Sequence, residues 1–343
     1  MGLDFELDLL LRRESLSFDQ AHEAMGRILS GSEPPAQIAG FLVALRMKSE
    51  TAEEIAGFAA AMRDSVIRID APATGPIVDT CGTGGDGAGT FNISTVVAFV
   101  AAGAGAVVAK HGNRSISSRS GSADVLEALG VNIDLKPRQM ALCLAQVGIG
   151  FLFAPALHPT MKHVQPIRRE LGLRTVFNYL GPLANPAATP FQVIGAPSKE
   201  VARRMSRALK RLGTERSFIV HGEDGLDEIS ITAPTTVYEV SEKHVVQFNV
   251  TPGDLGLPLA TIEQLAGGDA RMNASIAHAI LRGEEGPRRD IVLANAAAVL
   301  MAAGLARDWR HGIALAAESI DRGRALEKLQ ALVGLTRSFG EEQ

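Results

Sequence analysis

A run of glycines near residue 80 is the first feature of the chain that points to chemistry. The stretch DTCGTGGDGAGTFNIST covers residues 79–95, and four of the seven residues from Cys81 to Gly87 are glycine. It satisfies the pattern G-x-G-x-x-G of dinucleotide-binding loops, but that use requires an acidic residue about 20 positions further on. Lys110 stands there instead. The phosphate loop of nucleotide hydrolases also fits poorly, because Ala88 and Gly89 replace its lysine and its hydroxyl residue.

This glycine loop, residues 82–89, suits an anion of another kind. Backbone N–H groups of glycine can approach a phosphate closely, and a tight turn alone seldom requires four glycines. Asn92, Ser94 and Thr95 then stand at the start of a helix predicted from about Ser94 to Gly103, where free N–H groups and the helix dipole favour negative charge. The two hydroxyl residues are equally consistent with plain helix caps. The pattern predicts a phosphate cradle, with a structural turn as the alternative.

A second polar run, KHGNRSISSRSGSAD at residues 110–124, follows the next predicted strand. In an open parallel sheet, ligands bind beyond the carboxyl ends of the strands, so both polar runs are expected at one edge. The second run combines four basic side chains with five amide or hydroxyl donors: Lys110, His111, Arg114, Arg119, Asn113, Ser115, Ser117, Ser118 and Ser122. Such a density of cations and donors is typical of a polyphosphate site. The alternative is a solvated loop before a helix capped by Ser122.

An acidic stretch, VHGEDGLDEISI at residues 220–231, is predicted to be a strand, a turn and a second strand. Asp227 and Glu228 are adjacent carboxylates, which face opposite sides in a strand but can converge in a turn. The spacing of a calcium-binding EF-hand is absent. From these residues alone, a solvated hairpin turn is the preferred interpretation.

The elements that must position these residues fall into two regions. Residues 1–70 carry helical patterns only, and Thr51 with Glu54 forms a predicted capping box. The Pro/Gly stretch 71–76 is a predicted domain boundary. From residue 77 on, a strand, the glycine loop, a helix and a strand form a βαβ unit, which predicts a parallel sheet. Further strands are predicted in VNIDL, IGFLFA, FQVIGA, SFIVHG, EISI, TVYEV and VVQFNV, and the last 70 residues are mostly helical.

Length, charge and cysteine content narrow the class of protein. A chain of 343 residues suggests about two domains. The net charge of −4 and the pI of about 6.1 imply no broad basic surface, so nucleic acid is a poor partner. Two cysteines are too few for a disulfide framework and favour a reducing cytoplasm. The longest apolar run, residues 96–109, is shorter than the ~20 residues that span a bilayer, so no membrane partner is expected.

Three long motifs resemble the anthranilate phosphoribosyltransferase family: GTGGDGAGTFNIST, KHGNRSISSRSGSADVLEALG and FNYLGPLANP. The resemblance runs from about residue 17 to 335. It implies an α/β fold, with a small all-helical domain plus a larger α/β domain that has a mostly parallel central sheet flanked by helices. The helical domain is then expected at residues 1–70, with about 160–185 packing on it, and the α/β domain at 75–160 and 186–343.

The resemblance also implies a reaction. The family transfers the phosphoribosyl group of phosphoribosyl pyrophosphate (PRPP) to the amine of anthranilate in tryptophan biosynthesis, releasing pyrophosphate. It uses Mg²⁺, here expected as two ions, and commonly forms homodimers through the helical domain. Pyrimidine nucleoside phosphorylases are similar in fold but do not carry the KHGNRS run. A phosphorylase-like enzyme and a non-catalytic relative that binds nucleic acid are the alternatives; the acidic pI and the intact motifs argue against the second.

The expected site residues follow from the same resemblance. It implies PRPP binding by Gly82, Gly85, Asp86, Thr90, Asn92, Ile93, Ser94, Thr95, Lys110, His111, Gly112, Asn113, Arg114, Ser115, Ile116, Ser117, Ser118 and Ser122. Anthranilate, whose carboxylate suits a guanidinium group, is expected on Gly82, Asn113 and Arg168. Mg²⁺ is expected on Ser94, Asp227 and Glu228, and catalytic roles are expected for Lys110, Asn113 and Arg168. His111 and His158 match positions near the aromatic substrate, while Tyr179 and Ala184 depart from the family pattern in the segment that links the domains.

Overall fold

Residues 2–70 contain helices and no strands, as the sequence predicts. The structure is a computed structural model that describes residues 2–70, 74–115 and 119–341. Its first four helices are α1 (Asp4–Leu11), α2 (Phe18–Ser30), α3 (Pro35–Lys48) and α4 (Ala52–Ser65). The predicted capping box is confirmed: the Thr51 hydroxyl accepts from the Glu54 N–H, and the Glu54 carboxylate accepts from the Thr51 N–H. These reciprocal bonds satisfy two backbone donors that the first turn of α4 leaves free.

Seven strands form one sheet in the order β3-β2-β1-β4-β5-β6-β7. Their bounds are β1 (Ile77–Gly82), β2 (Val107–Gly112), β3 (Ile149–Phe153), β4 (Phe191–Gly195), β5 (Arg216–Gly222), β6 (Thr235–Val240) and β7 (Val245–Val250). Strands β1 to β5 are parallel, and β6 and β7 add an antiparallel edge. The chain proceeds outward from β1 to β3 and then returns to the other side of β1 with β4. The carboxyl ends of β1 and β4 therefore flank the topological switch point, where open α/β sheets bind ligands.

The remaining helices surround this sheet. They are α5 (Ile93–Gly103), α6 (Ser122–Ala128), α7 (Pro137–Val147), α8 (Ala154–Leu157), α9 (Gln165–Leu171), α10 (Phe177–Leu183), α11 (Lys199–Leu212), α12 (Pro252–Leu255), α13 (Ala270–Leu281), α14 (Pro287–Ala302), α15 (Trp309–Asp321) and α16 (Arg324–Glu341). Two short 3-10 helices lie at Pro159–His163 and Ile262–Leu265. No helix within these described ranges is long and apolar enough to cross a membrane.

The two faces of the sheet belong to two hydrophobic clusters. On β4, Val193 packs with α5 and α14, whereas its neighbour Ile194 packs with α4, α10 and α11. On β5, Phe218 and Ile219 divide in the same way. Successive side chains of a strand point to opposite faces, so this alternation shows that helices cover the sheet on both sides. The expected fold class is confirmed: a helical N-terminal region and a mostly parallel sheet flanked by helices.

Two predicted strands are wrong. Residues 131–135 (VNIDL) run as an irregular segment whose Asn132 N–H donates to the Thr336 hydroxyl of α16. Residues 228–231 (EISI) are also irregular, because the Asn295 side chain of α14 satisfies the backbone of Ile229 by accepting from its N–H at 2.8 Å and donating to its carbonyl at 2.9 Å. Both segments have buried apolar side chains, but side chains and not a neighbouring strand supply these hydrogen bonds.

Candidate active site

The centre of the site is a notch between the ends of β1 and β4. Gly82 and Gly195 are paired across these strands, and Asp227 lies against both, with its carboxylate at Gly82 and its backbone at Gly195. A methyl group on Gly82 would lie 2.5 Å from a carboxylate oxygen of Asp227, and one on Gly195 would overlap its backbone. Only glycine leaves this space, so the paired glycines admit the acidic segment to the switch point. Gly195, at the end of a predicted strand, was not among the sequence-predicted site residues.

The glycine loop curls over this notch. Gly84, Gly85, Gly87 and Gly89 have φ of 66°, 76°, 75° and 67°. These are left-handed values that side chains disfavour, which explains the glycine content. The Gly84 N–H donates to the Asp227 carboxylate at 3.0 Å. Thr90 forms an isolated bridge with Ala266, so the far end of the loop is anchored on the segment that follows the second 3-10 helix.

Three carboxylates lie close together beside the loop: Asp86, Asp227 and Glu228. Burial raises the pKa of Asp227, and the neighbouring Asp86 raises it further. Burial likewise raises the pKa of Glu228, with Asp227 as the next cause, although both groups keep part of their surface open to solvent. Glu228 also accepts a hydrogen bond from the Ser94 backbone N–H, at the start of α5. Asp227 and Glu228 thus lie close together on an irregular, partly buried segment, and not in the solvated turn between two strands that was the preferred interpretation of these residues.

This cluster fits a magnesium ion. Hard oxygen ligands with unbalanced negative charge are what Mg²⁺ binds, usually through one or two carboxylates completed by substrate phosphates. Asp227 and Glu228 supply the carboxylates, and the Ser94 hydroxyl lies at the same helix start, where it accepts from Lys110. In the described ranges, no three His, Cys, Asp or Glu side chains form a ready-made metal cage.

Lys110 lies behind the cluster, inside the sheet. Its side chain extends from β2 and is 3% exposed. Nζ donates to the Thr80 carbonyl at 2.5 Å and to the Ser94 hydroxyl at 3.2 Å. Burial lowers the pKa of Lys110, whereas the charges of Asp79 and Glu228 oppose that shift. The buried Lys110 side chain therefore orients Ser94 at the start of α5 without facing solvent.

A buried carboxylate that the sequence reasoning missed connects strands β1 and β2. Asp79 of β1 is 0% exposed and accepts from the His111 N–H at 3.1 Å and from the Asn185 side chain at 2.7 Å. Asn185 also donates to the Ala109 carbonyl of β2 at 2.9 Å. Burial raises the pKa of Asp79, and the bond from Asn185 and the charge of Lys110 counteract this. A charged residue within the apolar strand IVDT was the available signal.

The start of α5 holds the remaining residues of the first polar run. Asn92 is the N-cap position, and its amide donates to the Ser120 carbonyl at 3.2 Å while its oxygen accepts from Asn273 at 2.8 Å. Ile93, the first residue of the helix, is buried, and so is Thr95, whose hydroxyl has no hydrogen-bond partner in the described part of the chain. Asn92 therefore links the two polar runs to α13, a contact that the sequence did not indicate.

The second polar run is organised by Asp124. Its carboxylate accepts from the N–H groups of Ser115 and Gly121 at 3.1 and 2.8 Å. Gly121 is the N-cap of α6, so the predicted cap at Ser122 is wrong: Ser122 is the first helical residue, and its hydroxyl donates to the Asn113 carbonyl. Asp124 at the third helical position supplies the return bond of the cap.

The other members of this run have different surroundings. Arg114 pairs with Asp124 and Glu127 on α6, while the exposed Asn113 follows Gly112 at the end of β2. The predicted contacts at Ile116, Ser117 and Ser118 lie outside the described residues. The run thus reaches the same sheet edge as the glycine loop, and part of its charge is balanced by its own helix.

Two buried histidines lie where the sheet meets the helical region. His111 Nδ1 lies 3.1 Å from the Gly181 carbonyl of α10, and its Nε2 lies 3.2 Å from Nε2 of His158. Because the carbonyl requires a donor, we assign the proton of His111 to Nδ1 and the shared proton to His158. Burial lowers the pKa of His111 to about 3 and that of His158 to about 4. Both rings are therefore neutral at pH 7. Through them β2 contacts α10 and the segment around His158.

Arg168 lies on α9, in the helical region. Its guanidinium group lies 5.4 Å from the centre of the Phe177 ring, and burial lowers its pKa. Among the described residues its guanidinium group has no ion-pair or hydrogen-bond partner. A half-buried arginine stacked on an aromatic ring offers a free fork to a carboxylate. Tyr179 and Ala184 follow in the same segment and are buried among apolar side chains.

Two domain families match the chain. Residues 74–326 match the α/β domain of a glycosyl transferase family, and residues 7–66 match the helical bundle domain of a glycosyl transferase family. The two matches together cover most of the chain and follow its structural division into helices and sheet. The chain therefore belongs to this glycosyl transferase family.

Similar proteins narrow the family further. The anthranilate phosphoribosyltransferase of Chloroflexus aurantiacus is 52% identical over 98% of this chain and 99% of its own length. The crystal structure of the Thermus thermophilus enzyme of that name has a TM-score of 0.91 at 43% identity, covering 96% of this chain and 99% of its own. The Saccharomyces cerevisiae enzyme in complex with PRPP and Mg has a TM-score of 0.90 at 32% identity, covering 98% of both chains. Within its class, the chain is a member of the anthranilate phosphoribosyltransferase family.

Proposed function

We propose that the protein transfers the phosphoribosyl group of PRPP to the amine of anthranilate. The observation that carries this proposal is the meeting, at one switch point, of the glycine loop, the start of α5 and the carboxylates of Asp227 and Glu228. The first two present backbone N–H groups to a polyphosphate, and the third presents ligands to its metal. The yeast relative with PRPP and Mg, and the same enzyme with 4-fluoroanthranilate, support both substrates.

The chemistry is a displacement at C1 of the ribose. The anthranilate nitrogen forms a bond to C1, the bond from C1 to the pyrophosphate oxygen breaks, and the amine gives up a proton. Negative charge grows on the departing pyrophosphate. Glycine-loop amides and the N-terminus of α5 stabilise that charge, with Lys110 acting from behind Ser94. No covalent enzyme intermediate is needed.

Anthranilate, the second substrate, must be positioned more than it must be activated. Arg168 is proposed to bind the carboxylate of anthranilate through its free fork, with Gly82 and Asn113 as contacts between the substrates. The neutral pair His111 and His158 is proposed to line the aromatic side. Holding the amine in line with C1 lowers the entropic part of the barrier.

Magnesium is the proposed cofactor, as two ions. Ser94, Asp227 and Glu228 are the proposed ligands, and relatives from yeast have been crystallised with Mg. When bound, the metal neutralises phosphate charge and orients the leaving group. Burial and the neighbouring carboxylates raise the pKa of both groups, and a bound cation would relieve the repulsion between them.

Three features of organisation are part of the proposal. The helical domain is placed at residues 1–70 with about 160–185, and the α/β domain at 75–160 and 186–343. A homodimer through the helical domain is supported by exposed apolar side chains on α1 and α3, namely Phe5, Leu11 and Met47. These face solvent in one chain, as surfaces buried between subunits do. The proposed location is the cytoplasm.

The test is the loss of anthranilate fluorescence when PRPP and Mg²⁺ are added to the purified protein. Consumption that requires all three components supports the proposal. Phosphorolysis of thymidine or uridine with inorganic phosphate, without anthranilate turnover, would favour a nucleoside phosphorylase instead. A matched reaction without Mg²⁺ separates metal-dependent turnover from slow background loss of fluorescence.

A further inference from the structure

One arginine between α9 and α10 contacts the glycine loop. Arg174 lies two residues after Gly172, whose φ of 61° ends α9. Its Nη1 donates to the Gly85 carbonyl at 2.7 Å, and its Nη2 donates to the Gly84 carbonyl at 2.8 Å. Two parallel bonds from one planar fork fix both position and direction. Building on the proposed function, we propose that Arg174 is a positioning residue that holds the glycine loop in the shape that receives PRPP.

The loop is held from both sides. The Gly84 carbonyl accepts from Arg174, while the Gly84 N–H donates to Asp227 at 3.0 Å. The left-handed conformations of Gly84 and Gly85 turn these groups in different directions. Arg174 therefore occupies two carbonyl oxygens that would repel a phosphate, while Asp227 accepts from the Gly84 N–H on the other side of the loop.

The arginine also joins the two substrate sides of the protein. It lies six residues after Arg168, the proposed anthranilate ligand, and the helix that carries Arg168 packs on α3 of the helical region. Asp227 belongs to the sheet side. A loop held between Arg174 and Asp227 connects the proposed anthranilate side to the proposed pyrophosphate side through three hydrogen bonds.

Gly85 and Gly87 provide a matched test of this arrangement. Both have left-handed φ, 76° and 75°, so a side chain strains the backbone equally at either position. A methyl group on Gly85 would overlap the guanidinium group of Arg174, whereas one on Gly87 meets nothing within 4 Å. Gly85→Ala therefore displaces the arginine, and Gly87→Ala reports the backbone cost alone.

The experiment measures KM for PRPP, KM for anthranilate and kcat in Arg174→Ala, Arg174→Lys, Gly85→Ala and Gly87→Ala. We expect Arg174→Ala to raise KM for PRPP about tenfold, because the charge-assisted bonds to the glycine loop are lost. The change in kcat should be smaller. Arg174→Lys should recover little, because an ammonium group cannot reproduce the planar fork. Gly85→Ala should raise KM for PRPP more than Gly87→Ala does. This difference between the two variants should vanish when Arg174 has already been replaced by alanine.

Amide hydrogen exchange of residues 83–90 provides a readout that needs no turnover. Faster exchange of these amides in Arg174→Ala, at an unchanged rate in α14, supports the proposal. Wild-type KM for PRPP in Arg174→Ala, a lower melting temperature with KM unchanged, or equal effects of Gly85→Ala and Gly87→Ala would each overturn it. An inactive wild-type protein would refute the proposed function, and amide exchange would then decide on the loop contact by itself.

Discussion

Gly82→Ala tests whether the notch between β1 and β4 fixes the carboxylate of Asp227, a proposed Mg²⁺ ligand. Gly82 does not have a left-handed φ, so alanine is compatible with its backbone and the effect is purely steric. The new methyl group would lie 2.5 Å from Oδ2 of Asp227 and 3.2 Å from its Cγ. Ordinary contact begins at 3.4 Å, so the carboxylate must retreat by about 0.9 Å.

The size of the effect follows from that displacement. A misplacement of about 1 Å in a catalytic group can cost about 100-fold in rate, or roughly 2.7 kcal/mol of transition-state stabilisation. We therefore expect kcat/KM with PRPP to fall about 100-fold in Gly82→Ala. Because Asp227 is a proposed Mg²⁺ ligand, the Mg²⁺ concentration for half-maximal rate should rise as well.

The assay follows anthranilate fluorescence at fixed PRPP while Mg²⁺ is varied. Gly26→Ala is the matched control, since Gly26 lies on the exposed face of α2 and a methyl group there meets nothing within 4 Å. It should keep wild-type kinetics and gain about 0.5–1 kcal/mol of stability. Gly82→Ala with a rate within threefold of wild type and an unchanged Mg²⁺ dependence would refute the steric argument.

Three further predictions concern charge. Arg168→Ala should weaken anthranilate binding far more than PRPP binding, by about tenfold or more, in steady-state kinetics; equal losses for both substrates would contradict its role. Asp227→Asn combined with Glu228→Gln should abolish Mg²⁺-dependent turnover, and near-normal activity would remove this acidic pair from the site. In the unfolded chain both histidines bind a proton below about pH 6.5, whereas in the folded protein the pKa is about 3 for His111 and about 4 for His158. The unfolded state therefore binds more protons between these values, and the free energy of unfolding should decrease as pH falls from about 6.5 toward 4. Urea unfolding at pH 7 and pH 5 measures this, and His158→Gln should reduce the decrease by about 1 kcal/mol or more; an equal decrease in both proteins would show that the histidines are not its cause.

Local sequence patterns predicted most of the architecture, because periodicity, caps and glycine content are properties of neighbouring residues. The helices of the N-terminal region, the βαβ unit and the seven strands β1 to β7 follow from such patterns. Residues 131–135 and 228–231 were mispredicted because distant side chains, Thr336 and Asn295, satisfy backbone groups there. No local pattern contains that information.

The same limit separates the predicted from the missed parts of the site. Lys110 stands in a run of polar residues and could be selected from the sequence, whereas Asp227 was selected only through the family resemblance. Arg174 and Asn185 act on partners about 90 and 106 positions away, so nothing around them marks their contacts. Gly195 was the exception: its place at the end of a predicted parallel strand put it on the ligand-binding edge, and the sheet rule alone would have included it.

The strand order has a consequence for synthesis on the ribosome. β1 pairs with β2 on one side, but its other neighbour is β4, and 109 positions separate Gly82 from Phe191. At about 5–20 residues per second, the ribosome needs roughly 5–20 s to make that stretch. Throughout that time the nascent chain carries β1 with the backbone N–H and C=O groups of one edge unpaired. An unpaired edge of this kind can pair with strands of other chains. A protein with its ligand site at the centre of the sheet must therefore leave that centre open until more than half of the chain has emerged.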